Sequence, residues 1–224
     1  MVDRGPTAGR FVTVEGGEGA GKSTQIRRLA AWLDGRGIET VTTREPGGTP
    51  GAEAIRALLV TGAPDRWDAM TEALLVAAAR RDHAGKLIRP ALARGAWVLC
   101  DRFADSTLAY QGYAGGLPLD GLTALTRFAV GDLTPDLTVV LDLPAAEGLR
   151  RAGARAEARP GAGSAAESRF EARTRRFHEA VRDGFLDIAR KEPVRCVVVD
   201  AAAPVDDVAR RIAAAVGEKL FADG

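Results

Sequence analysis

The sequence predicts an α/β fold: a parallel sheet with helices on both faces. Three observations lead there. Five short strand-like runs, four apolar and one of Thr and Val, recur along the 224 residues. Segments with helical apolar spacing alternate with them. The first run passes through a glycine-rich loop straight into such a segment. Strand–helix alternation of this kind gives parallel strands joined by crossover helices.

The elements follow in order. Residues 1–9 are polar, with Gly and Pro, and are expected to form a flexible arm; they lack the apolar core of a signal peptide. Phe11–Glu15 is the first strand. The loop Gly16–Ser23 opens a helix from about Lys22, which carries Ile26, Leu29, Ala30 and Leu33 and stops near Gly35 and Gly37. Thr40–Thr43 is the second strand, running into Arg44–Gly51, a segment too rich in Pro and Gly to be regular. Helical spacing covers Ala52–Leu59 and, after a turn at 62–64, Thr71–Gly85. Lys86–Arg94 is also helical, with a kink expected at Pro90.

Ala96–Cys100 is a buried strand ending in Asp101-Arg102-Phe103. Gln111–Leu119 reads as a Gly-rich loop and Asp120–Val130 as a helix. Leu137–Leu143 is the fourth strand. A helix from Ala145 leads into Arg150–Ser168, a stretch of Arg, Ala, Gly and Pro. Glu171–Lys191 is a long helix, Val194–Asp200 the last strand and Val205–Leu220 the last helix. The expected organisation is one domain over residues 10–224.

Composition excludes several classes. Charge is balanced, with 31 Lys+Arg against 30 Asp+Glu, so neither nucleic acid nor a membrane surface is an expected partner. No run approaches the length of a membrane span. Cys100 and Cys196 both lie in apolar runs and are expected to be buried reduced thiols; a disulfide framework or zinc set has no support. A cytoplasmic enzyme is expected.

The chemistry concentrates at the strands' carboxyl ends, where ligands bind in open α/β sheets. Gly16-Gly17-Glu18-Gly19-Ala20-Gly21-Lys22-Ser23 has the spacing and the strand–loop–helix context of a P-loop. Glycines let successive N–H groups turn toward one anion, and the helix start adds free donors and partial positive charge. Lys22 would reach β- and γ-phosphates, and Ser23 would ligate Mg²⁺. The loop therefore predicts a nucleoside triphosphate as ligand; a glycine turn that binds nothing is the competing view. Asp101 at a neighbouring strand end suits the metal shell, and Arg102 a second phosphate; an exposed strand-end ion pair is the plainer alternative. The Arg-rich stretch of about 150–168 suits a mobile lid that closes on transferring phosphates, although charge runs are usually solvated loops. Within it Arg151 is preferred to Arg150, because its four-residue spacing aligns it with Arg155. His83 and His178 have no metal-ligand spacing around them and read as structural or exposed.

Together these residues resemble the thymidylate kinase family of nucleoside-monophosphate kinases. The matching segments are Glu15–Thr24, Thr43-Arg44-Glu45-Pro46-Gly47-Gly48-Thr49, Ala78-Ala79-Arg80, Asp101-Arg102-Phe103, Ser106–Gly112, Pro135–Thr138, Leu141-Asp142 and Arg169-Phe170-Glu171. The resemblance implies a three-layer P-loop kinase fold with a five-stranded parallel sheet, transfer of the ATP γ-phosphate to dTMP as a step toward dTTP, and a homodimer. It places ATP on Gly16, Gly17, Glu18, Gly19, Ala20, Gly21, Lys22, Ser23 and Thr24. It places Mg²⁺ near Ser23, Asp101 and Glu171. The acceptor would meet Glu18, Arg44, Pro46, Val76, Arg80, Arg102, Ser106 or Thr107, Tyr110 and Gln111. Arg80 would donate to a thymine carbonyl, and Tyr110 would stand where a 2′-OH would be. Lys22, Arg102, Arg151 and Arg155 would stabilise the transferred charge. Val76 departs from the family, which commonly has Phe at this position; a valine offers no aromatic face. Ser168 also departs, standing where an acid is often found. A kinase for another monophosphate, or a GTP-dependent switch, are the other readings. Against the switch, no Asn-Lys-x-Asp-like motif follows the fourth strand.

Overall fold

A computed structural model describes residues 9–63, 65–158, 170 and 173–221. The arm before Gly9, residues 159–168 of the expected lid (including Arg159 and Ser168), Arg169 and Glu171 lie outside the described residues. Five strands form one parallel sheet: β1 Phe11–Gly16, β2 Thr40–Arg44, β3 Trp97–Asp101, β4 Leu137–Asp142 and β5 Cys196–Asp200. Their order is β2-β3-β1-β4-β5. β1 is therefore central, pairing Phe11 with Val98 on one side and Val12 with Leu137 on the other. Every residue of β1 is buried, as expected for a strand covered on both faces.

The helices are α1 Lys22–Asp34, α2 Pro50–Val60, α3 Ala69–His83, α4 Arg89–Ala93, α5 Ala104–Thr107, α6 Leu119–Val130, α7 Ala145–Ala158, α8 Arg175–Lys191 and α9 Val205–Leu220. Strand alternation divides the core. Val12 and Val14 pack on one face with Leu29, Leu33, Val208 and Ile212 of α1 and α9. Phe11 faces the other way, with Val98, Cys100, Phe103 and Ile88. Under the β4 edge, Val140 meets Val181, Phe185 and Ile188 of α8. Thr13 and Glu15 share the Phe11 face by the two-residue period. Both cysteines are free and buried, as expected.

Four local expectations need correction. Gln111–Leu119 is not a loop throughout: α5 continues into a π-helical turn over Leu108–Tyr113. Gly112 lies inside it because a Cβ there would come 2.4 Å from the Leu119 side chain, so close packing, not a turn, requires the glycine. The Arg-rich stretch is helical through Ala158; Ala and Arg are strong helix formers, and Glu147 pairs with Arg150 and Arg151 one turn on. The long helix begins at Arg175, where the Thr174 hydroxyl caps the Phe177 N–H. Around Pro90 the irregularity is more specific than a kink: a π-helical turn, Ala84–Ile88, joins α3 to α4 just before it. Proline cannot donate the bond that would continue the regular ladder.

Candidate active site

The P-loop leaves the carboxyl end of β1 through three glycines of positive φ: Gly16 (+135°), Gly19 (+67°) and Gly21 (+89°). Gly19 is also a point of close approach, since a Cβ there would lie 2.0 Å from the Gly148 carbonyl of α7. No side chain caps the start of α1 and its first turn holds no acid, which leaves the donors of an anion site free. Lys22 is buried and folds back over the loop, its Nζ donating to the Gly16 and Gly17 carbonyls at 3.2 and 2.9 Å. Burial and the nearby Arg102 charge lower its pKa.

Ser23 Oγ donates to Asp101 Oδ2 at 2.7 Å. A hydroxyl and a carboxylate brought together beside a phosphate loop form a hard oxygen pair, the donor set that suits Mg²⁺. These two residues fit the expected metal.

Arg102 is the one non-glycine residue of positive φ (71°) among the described residues. That turn aims its guanidinium back over the P-loop: Nη1 donates to the Gly16 carbonyl and Ser106 Oγ, and Nη2 to Glu18 Oε1. Its Cζ lies 4.9 Å from the centre of the Tyr110 ring, and the Tyr110 hydroxyl donates to the same Glu18 oxygen at 2.9 Å. Burial works against the Glu18 carboxylate, but Arg102, Lys22 and the tyrosine together hold its pKa down at about 2.

The strained turn has a brace. Glu15, fully buried, accepts from the Phe103 N–H and from Ser106 Oγ, both at 2.6 Å. Burial, with the Asp105 charge added, pushes its pKa up to about 7.

A cleft opens beside Arg102. Its lining includes Glu18, Pro46, Arg56, Val76, Arg80, Phe103, Ser106, Thr107, Tyr110, Gln111, Arg155 and Phe170. Of the expected acceptor residues, Glu18, Pro46, Val76, Arg80, Arg102, Ser106, Thr107, Tyr110 and Gln111 converge there. Arg80 is 1% exposed. Its Nε donates to Glu45 at 2.7 Å, and Nη2 to the Phe103 carbonyl and Thr107 Oγ1. Nη1 has no hydrogen-bond partner among the described residues. Tyr110 stands against Phe170, Phe177 and Phe185. Gln111 is tied to Glu72 at 3.0 Å.

Two expected residues are placed elsewhere. Arg44 is half exposed and forms a pair with Glu53 of α2; successive β2 side chains point to opposite faces, and Arg44 is not among the cleft residues. Arg151 donates to Glu147 and to the Ala201 carbonyl, so it faces the end of β5. Arg155, one turn on, lines the cleft. Arg56 was not anticipated. It enters from α2, donating to the Pro46 carbonyl at 2.9 Å. The available signal was one cation inside an otherwise apolar helical run, Ala54–Val60. His83, read as structural or exposed, is fully buried.

Known proteins similar to this chain point to one family. The family model described as "Thymidylate kinase" matches residues 14–212. The thymidylate kinase of Caulobacter vibrioides is 57% identical over 214 residues, covering 96% of this chain and 99% of that one. A Bradyrhizobium thymidylate kinase is 53% identical, covering 98% and 95%. The crystal structure of thymidylate kinase from Ehrlichia chaffeensis superposes with a TM-score of 0.72 at 34% identity, over 93% of this chain and 99% of that one. With the family model matching residues 14–212 and relatives above 50% identity aligned over nearly their whole length, this chain belongs to the thymidylate kinase family.

Proposed function

We propose that the protein transfers the γ-phosphoryl group of ATP to dTMP, giving dTDP and ADP. Relatives of 53–57% identity that carry the thymidylate kinase name support the reaction. The observation that carries the substrate is Arg80: a sealed guanidinium at the cleft wall with one donor nitrogen unmatched. A buried unmatched donor calls for an acceptor from a ligand, and a thymine carbonyl supplies one.

The donor nucleotide lies along Gly16–Thr24, with Lys22 leaving its carbonyl partners for the β- and γ-phosphates. Ser23 and Asp101 would hold Mg²⁺, and Glu171 would be an outer contact by the family resemblance. When bound, the ion offsets charge on the phosphate oxygens. Arg102 sits between loop and cleft and spans both phosphate groups. Arg155 faces the cleft from α7 and meets the moving phosphoryl group, while the lid, about 150–168, excludes water. A phosphate monoester is already nucleophilic at neutral pH, so no general base is needed; positioning and charge supply the catalysis. Glu18 and Tyr110 form the sugar wall, Tyr110 fixed by its aromatic neighbours where a 2′-OH would collide. Val76 and Phe103 flank the base, and Arg56 adds a cation on the acceptor side.

The working unit is a homodimer formed by one domain per copy and residing in the cytoplasm. Met70, Leu74 and Phe128 support the dimer: they are exposed apolar side chains on α3 and α6, Phe128 at 92%. No described helix is long and apolar enough to cross a membrane. A coupled assay with ATP against dTMP, dUMP, UMP, CMP, AMP and GMP tests the reaction. Fastest turnover is expected with dTMP; faster turnover with another acceptor, or GTP binding without transfer, would overturn it.

A further inference from the structure

His83 closes α3 and is fully buried. Its two ring nitrogens are both engaged. Nδ1 lies 2.9 Å from Glu45 Oε1, and Nε2 2.7 Å from Thr43 Oγ1. The second Glu45 oxygen takes Arg80 Nε–H at 2.7 Å. A carboxylate only accepts, so Nδ1 carries the proton toward Glu45, while Nε2 and the Thr43 hydroxyl share the second bond. One continuous chain thus runs from β2, through α3, to the guanidinium at the cleft wall.

The surroundings fix this chain in place. Glu45 and Arg80 are 3% and 1% exposed. Gly48 lies against the ring: a Cβ there would fall 2.4 Å from Thr43 Oγ1 and 2.5 Å from His83 Nε2. The loop Arg44–Thr49 therefore closes directly over the Thr43–His83 bond. On the far side, Phe103 and Thr107 take Arg80 Nη2. With Nε and Nη2 anchored, the planar guanidinium cannot rotate without breaking charge-assisted bonds.

We propose that His83 is a positioning residue for base recognition: through Glu45 it fixes the Arg80 guanidinium so that Nη1 remains the donor offered to the base. This rests on the thymidylate reading above and deepens it. A fixed N–H donates to a carbonyl at the pyrimidine 4-position and opposes an amino group there. The His83–Glu45 pair thereby sets discrimination between thymine- and cytosine-bearing monophosphates, without touching either.

His83→Phe keeps the ring volume and removes the donor; His83→Asn restores an N–H close to the Nδ1 position. Loss of one charge-assisted bond predicts a KM for dTMP raised about tenfold in His83→Phe, with kcat and the KM for ATP within about twofold. The kcat/KM ratio of dTMP over dCMP should fall by a similar factor, and His83→Asn should recover most of both. Thr43→Val, which removes only the far hydroxyl, should give a KM rise of roughly twofold to threefold. A direct readout is solvent exchange of the Arg80 Nε–H followed by ¹⁵N NMR. It should be slow in wild type and His83→Asn, and fast in His83→Phe. Unchanged KM and exchange in folded His83→Phe would overturn the proposal, as would parallel loss of kcat and both KM values. Should wild type prefer another acceptor, the thymidylate reading fails, while the exchange measurement still decides whether His83 holds Arg80.

Discussion

Arg102 and Glu18 join across the mouth of the cleft, the arginine's Nη2 donating to Glu18 Oε1 at 2.9 Å. The pair links the end of β3 to the middle of the phosphate loop. It places a cation between the phosphate loop and the cleft. Removing the arginine should therefore remove transition-state stabilisation more than donor binding. Arg102→Ala is expected to lower kcat by about a thousandfold or more, while calorimetry finds ATP affinity nearly unchanged. Wild-type-like turnover would take Arg102 out of the mechanism.

Glu15 predicts a pH dependence. Its folded pKa of about 7 lies above the ordinary 4.5, with burial as the main cause and Asp105 as the second. Between those values the folded protein holds a proton that the unfolded chain has lost. Stability from this group is therefore fully present below about pH 4.5 and is lost as pH rises through 7, by about 3 kcal/mol in all. Glu15→Gln should flatten that slope in urea unfolding measured from pH 5 to 7.5. A slope equal to that of wild type would refute the assignment.

Gly148 and the phosphate loop meet backbone to backbone. A Cβ on Gly148 would lie 2.2 Å from the Glu18 carbonyl. Ordinarily Gly→Ala within a helix gains about 1 kcal/mol. Here the collision should reverse the sign. Gly148→Ala should lower both thermal stability and ATP affinity, the latter read by titration calorimetry.

Arg56 and Arg44 make a contrasting pair. Arg56 lines the cleft, whereas Arg44 is half exposed beside Glu53. Arg56→Ala should raise the KM for dTMP about tenfold or more and leave that for ATP little changed. Arg44→Ala should cost at most about 1 kcal/mol in stability, with steady-state constants near wild type. The reverse ranking would return Arg44 to the substrate site.

The local features were legible in the sequence. All five expected strands are present: β1, β3 and β4 are buried almost throughout and read as apolar runs, while the partly exposed edge strand β2 is marked by its β-branched Thr and Val. The phosphate loop was readable because glycine, lysine and serine are needed at fixed steps from one strand end. Lateral placement was harder to read. Arg44 and Arg56 are both cations near one loop, and only the α2–β2 geometry turns one to Glu53 and the other to Pro46. Arg151 and Arg155 share a helical face, yet Glu147 and the Ala201 carbonyl claim the first. His83 showed no motif, since its partners Thr43 and Glu45 lie 40 and 38 residues away. The helix over residues 104–113 was masked by Gly112, whose role depends on Leu119.

Lys22 resting on the carbonyls of Gly16 and Gly17 makes the loop its own provisional counter-ligand. An incoming anion must displace those contacts before it gains the ammonium. What the anion gains beyond that exchange comes from the uncapped amides at the start of α1.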